Sequence, residues 1–193
     1  MSNDLGRMTG SDTSAAIGRA AHNLGAAAIV GGDLFARYSM HPALAEIASP
    51  TERGKVLNRS WQRQGNVNSA SLVAIVGGWA AARRRDAAPR ALSARERPLA
   101  RAKDVAVGAV ALTGVSAAVA GIRLARMQPG GAVALADGDR AADSAEPAEK
   151  RTKDLIRRIS NVHLASAVAL VGIDAALAQT GHRHPPARRL LRR

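Results

Sequence analysis

The chain has 193 residues, a formal net charge of +13 and no cysteine, which excludes disulfides, thiolate catalysis and cysteine-ligated metals. Its apolar residues are mostly Ala and Val, and Phe35, Tyr38, Trp61 and Trp79 are the whole aromatic set, too few to anchor a conventional soluble core of this size. Walker, Rossmann, zinc-protease and nucleophile-elbow motifs do not occur, which removes the common soluble enzyme classes.

Residues 1–19 read as a polar, disordered tail. The apolar block at 20–36, broken only by Asp33, lacks a cleavage-like site and reads as a retained span. His41-Pro42 ends this first helix, with one short helical turn over 42–47. Ser49-Pro50-Thr51-Glu52 combines an N-cap, a proline at the first helical position and an acid three residues after the cap. A helix should start there and run unbroken into a second, uncharged block at 64–82. Ser93 and Glu96 repeat this start signal before a third block at 105–122, with Pro98 in the first turn. Residues 127–143 are rich in breakers and lack a period, which predicts a mobile loop. A last helix should begin near Ser144 or Glu146, pass through the charged stretch at 150–158 and enter a fourth block at 159–180, broken only by Asp174. The basic tail at 181–193 carries His182 and His184, an H-x-H pair that reads as part of a solvated tail, and no metal or other cofactor is expected.

Each block approaches the roughly 20 apolar residues that cross a bilayer. Their Gly, Ala and Ser content suits close packing in lipid, with Ala27/Gly31, Gly114/Ala118 and Ala117/Gly121 at small-xxx-small spacing. Part of the chain is written twice: NVNSASLVAIVGGWAA at 66–81 matches NVHLASAVALVGIDAA at 161–176 without a gap. An apolar segment precedes each copy, so the repeating unit is a helical hairpin. The expected fold is all-α, a four-helix transmembrane bundle of two tandem hairpins, about 20–83 and 104–180, within a single membrane domain at 20–180. The alternative is a soluble, Ala-rich helical protein. The densest basic cluster beside a block, Arg83-Arg84-Arg85, places both termini in the cytoplasm, for a multi-pass protein of the cell membrane. The Arg flanks suit anionic lipid headgroups better than nucleic acid, for which interleaved aromatics and a recognition helix are missing.

Acids inside apolar blocks are expensive, which makes Asp33 and Asp174 the leading functional candidates. Asp33 has a local partner in Arg37 at i+4; Asp174 has none within a turn. His22 precedes Asp33 by eleven residues, and His163 precedes Asp174 by eleven. Three helical turns put each His and Asp on one face, about 16 Å apart. Because the first and fourth spans run antiparallel, contact between them would set His22 beside Asp174 and Asp33 beside His163. Asn66 and Asn161, equivalent in the repeat, read as interhelical glue.

The runs GGDLFARYSMHPAL at 31–44 and SWQRQGNVNSASLVAI at 60–75 resemble the small four-span membrane proteins of the anthrone-oxygenase-like family over about a third of the chain. The second half, with its long insertion, departs from that pattern. The resemblance implies a compact four-helix membrane protein, some of whose relatives oxygenate polycyclic phenolic substrates without a metal or flavin. His41, Trp61 and Arg63 match the pattern, and His41 joins the candidates. Three function classes are therefore open. The first is a binding or structural membrane protein, the second a cofactor-independent membrane enzyme on small apolar substrates, and the third a proton-linked carrier acting as a homo-oligomer.

Overall fold

The computed structural model describes residues 10–87, 92–94 and 96–183, and the regular structure of these residues is helical. Four long helices alternate up and down: α1 (Gly10–Phe35), α3 (Pro50–Asp86), α4 (Glu96–Ala125) and α5 (Pro147–Arg183), with a short α2 (His41–Leu44) after the first. Each long helix lies beside the next, and α5 returns to α1. The start signals act as the sequence predicts. Ser49 Oγ accepts the Glu52 N–H at 3.3 Å, Glu96 accepts from the N–H and the hydroxyl of Ser93 at 2.7 Å, and Glu149 accepts the Glu146 N–H at 2.9 Å.

The repeat is visible as structure. Helices α3 and α5 are both 37 residues long, and the repeat-equivalent Ile75 and Leu170 are both fully buried at the centre of the bundle. With Ala26, Ile29 and Val110 they form an apolar layer contributed by all four long helices. Within the first hairpin the backbones touch. A Cβ on Gly18 would lie 2.7 Å from the Gly78 carbonyl oxygen, and one on Gly25 would lie 2.6 Å from that of Ser71. Only glycine permits this approach. The predicted small-residue pairs do something else. Gly31 faces open space, while Gly114, Ala117, Ala118 and Gly121 line a cleft between the hairpins.

Other expectations need correction. Helix α1 begins at Gly10, inside the segment read as a disordered tail. The first helix does not stop at His41-Pro42. A π turn over Ala36–Met40 intervenes, with the His41 N–H donating to the Ala36 carbonyl, and α2 continues from it. The wide turn accommodates a ring that would otherwise clash with the preceding turn. Residues 127–143 form a packed cap in place of a mobile loop. Val133 and Leu135 are buried against Leu44, Leu57 and Leu124. Leu135 N–H donates to the Pro50 carbonyl at 3.0 Å, and Ala142 N–H donates to the Ala134 carbonyl at 2.9 Å. Arg53 completes the cap by donating to the carbonyls of Ala45, Ile47, Leu135 and Ala136.

Two segments, Glu96–Ala125 and Pro147–Thr180, are long and apolar enough to cross a membrane, and among the described residues they are the two that meet that measure. Helix α1 carries Asp33, and α3 mixes Gln64, Asn66, Asn68, Ser69 and Ser71 into its apolar block.

Candidate functional site

The antiparallel contact of α1 with α5 brings each candidate His to its predicted Asp. At the end of the bundle where α4 begins, His22 is almost wholly buried and its Nε2 lies 3.0 Å from Asp174 Oδ2. Its Nδ1 faces the Ile75 carbonyl at 2.8 Å, so Nδ1 carries a hydrogen and donates. One further proton must lie between Nε2 and the carboxyl group. Lys103 Nζ stands 2.5 Å from the other Asp174 oxygen and 4.2 Å from the centroid of the Trp79 ring. Trp79, the repeat equivalent of Asp174, donates its indole N–H to Asp104 at 2.8 Å, and Arg83 grips the same Asp104 with two bonds of 2.8 Å. Carboxylate, imidazole and ammonium thus form one buried cluster, with contacts of 3.0 and 2.5 Å at the two carboxylate oxygens.

The second pair is open. Asp33 Oδ2 and His163 Nε2 stand 3.8 Å apart, beyond hydrogen-bond range, and Asp33 Oδ2 is buried without a hydrogen-bond partner among the described residues. The Thr113 hydroxyl donates to the Ala109 carbonyl at 2.6 Å, which leaves its lone pair to receive His163 Nδ1–H at 2.9 Å. That bond fixes the ring and directs Nε2 toward Asp33. Arg37 does not close the gap as its i+4 spacing suggests; it donates to Asn161 and so ties the end of α1 to α5. Asn161 therefore acts as glue, while its repeat equivalent Asn66 lines the cleft.

Both Asp33 and His163 line a cleft of about 880 Å³ between the hairpins, large enough for a small organic molecule. Ile29, Leu72, Gly114, Ala117 and Gly121 give it an apolar inner wall. Its outer end lies under the cap, where His41 Nδ1 is 2.9 Å from Asp139, His41 and Trp61 stack edge-on at 6.2 Å, and Lys153 donates to the Gly138 carbonyl at 2.5 Å. The hydrogen bond to His41 holds Asp139 below the usual carboxylate range. Burial lowers Lys153 to about 8 against the opposing pull of Asp139 and Asp137.

Sequence reasoning missed Lys103, Thr113, Asp139 and Lys153. Lys103 falls just outside the third apolar block, and Thr113 carries no charge to attract notice. The side chains of His182 and His184 lie outside the described residues. Among those described, no group of three or more His, Asp or Glu side chains is placed to hold a metal ion. No family model, curated protein or solved structure matches the chain.

Proposed function

We propose that the protein is a four-span membrane protein that binds a small, largely apolar molecule in the cleft between its hairpins. The reading rests on one observation: polarity is turned inside out across the bundle that holds the cleft. His22, Lys103, Asp174, Asp33 and His163 point inward, while Leu24, Phe35, Val73, Leu112, Val119 and Val168 point outward on all four long helices. The most apolar windows of α4 and α5 are only 22% and 17% buried, unlike the core helices of a soluble protein. Apolar faces of this extent need lipid or a partner to cover them. Termini in the cytoplasm and anionic headgroups against the Arg clusters complete the proposal.

The first experiment is membrane fractionation of the expressed protein. Release by detergent alone is the expected result. Release by a high-salt wash would mean that basic charge holds a soluble protein to a surface, and would favour a helical protein bound to nucleic acid or another polyanion.

A second reading, an enzyme without cofactor acting on small apolar substrates, is favoured by His163. Its Nε2 would be the basic atom, oriented by Thr113 and open to the cleft, and His41 lies farther out. The carrier reading is less well supported. The apolar layer of Ala26, Ile29, Ile75, Val110 and Leu170 lies between the two polar pairs.

A further inference from the structure

We propose that the His163–Asp33 pair receives a hydroxyl group, so that the ligand of the cleft is a neutral, mainly apolar molecule carrying an alcohol. This deepens the reading of the cleft as a binding site and depends on it. When one proton is shared by the pair, the pair offers one donor and one acceptor whichever atom holds the proton: imidazolium with carboxylate, or imidazole with carboxylic acid. A hydroxyl both accepts and donates through one oxygen. Placed to one side of the line joining Nε2 and Oδ2, which are 3.8 Å apart, an oxygen can lie within hydrogen-bond distance of both once the Asp33 carboxyl, whose Oδ2 is covered by its neighbours, turns toward the cleft. A carboxylate or an ammonium would answer only one side. The pair with its proton is neutral overall, so it selects a neutral group.

The surroundings agree with this assignment. Asp33 Oδ2 is buried and without a hydrogen-bond partner among the described residues, a condition that is costly unless a ligand relieves it. The ring of His163 cannot turn away, because Thr113 holds its Nδ1, and Gly114 leaves space for it: a Cβ there would come within 3.1 Å of His163 Cε1. The wall beyond is Ile29, Leu72 and Ala117, suited to a hydrocarbon body. The cations of the cleft, Arg59, Arg126, Lys153 and Arg157, belong to its water-side end. Arg157 pairs with Asp154 and Lys153 with the cap, and His163 lies about 9 Å farther along α5 than Arg157.

The test uses the full chain in mixed micelles and three probes at equal mole fraction: ω-bromodecanol, bromodecane and ω-bromodecanoate. Bromine quenches the fluorescence of Trp61, which lines the cleft, and loss of the signal in Trp61→Phe identifies the site. The expected result is saturable quenching by the alcohol at least about tenfold tighter than by the alkane, a factor typical of answering a buried polar group. Asp33→Leu and His163→Phe should each reduce the alcohol to the level of the alkane, and Thr113→Val should weaken it part-way. Circular dichroism and a monodisperse elution profile establish that each variant is folded. Equal saturable quenching by alcohol and alkane would overturn the hydroxyl assignment and leave the cleft a ligand site. Tightest binding of the carboxylate would also overturn it, in favour of the rim cations. Absence of saturable quenching by all three probes would remove both the assignment and the binding reading.

Discussion

The two His–Asp pairs join the same two helices, yet one is shut and the other open. His22 and Asp174 meet at 3.0 Å, and the Lys103 ammonium from α4 stands 2.5 Å from the other carboxylate oxygen as an ion pair. His163 and Asp33 stop at 3.8 Å, and the group that α4 supplies there, the Thr113 hydroxyl, binds the far side of the imidazole and leaves the near side exposed to a cleft. The third partner makes the difference. A cation on the carboxylate completes a buried ionic cluster, whereas a hydroxyl on the histidine orients a ring for something else. The first pair has the form of a structural fastening, and the second has the form of a receiving site.

The comparison can be broken most directly at Asp174. Asp174→Ala leaves Lys103 and His22 buried around an absent charge, and should lower stability by about 3–5 kcal/mol, the cost of removing one partner of a buried ion pair. Thermal unfolding in detergent would show it; a loss below about 1 kcal/mol would mean that the cluster is not a fastening. Lys153→Met acts in the opposite sense. Folding lowers Lys153 from 10.5 to about 8, so between those values the unfolded chain binds more protons than the folded one, and stability rises with pH across the window. Stability measured at about pH 7.5 and pH 10 should show that rise, of the order of 2–3 kcal/mol by linkage. In Lys153→Met the rise should vanish, and the variant should be at least as stable as the parent near neutral pH.

Smaller effects sharpen the contrast. A double-mutant cycle on Lys103→Met and Asp174→Asn should return a coupling of about 1–3 kcal/mol, and His163→Phe with Asp33→Asn, whose groups stand 3.8 Å apart beyond hydrogen-bond range, a smaller one. Asp33→Asn alone should change stability by less than about 1 kcal/mol, because a buried acid without a hydrogen-bond partner loses little on neutralisation. Equal losses at Asp33 and Asp174 in the unfolding measurement would erase the distinction between the two sites.

Much of this arrangement can be read in local signals. The eleven-residue spacings and the antiparallel order of the first and last long helices place both pairs, and three start signals place the helices. The other features depend on which helices are neighbours and how deep each residue lies. Lys103 looks like a flanking charge until α4 lies against α5, and only then does its ammonium reach Asp174. Residues 127–143 hold two large apolar anchors, Val133 and Leu135, separated by one residue. That is too short a pattern to predict packing, although a pocket of Leu44, Leu57 and Leu124 awaits them. The small residues of α4 show the same limit: spacing suggests helix contact, and the fold uses them to leave room for a cleft.

The four bonds of Arg53 bear on the order in which the protein is made. Two of its acceptors, Ala45 and Ile47, leave the ribosome before it, while Leu135 and Ala136 follow 82 and 83 residues later. The first hairpin can close on its glycines as soon as α3 is complete, but its outer end waits with a half-coordinated guanidinium until the cap is synthesised. Arg53 reaches its full set of partners only when the second half of the chain has been made and docked, so the cap and the first hairpin are fastened to each other through one guanidinium.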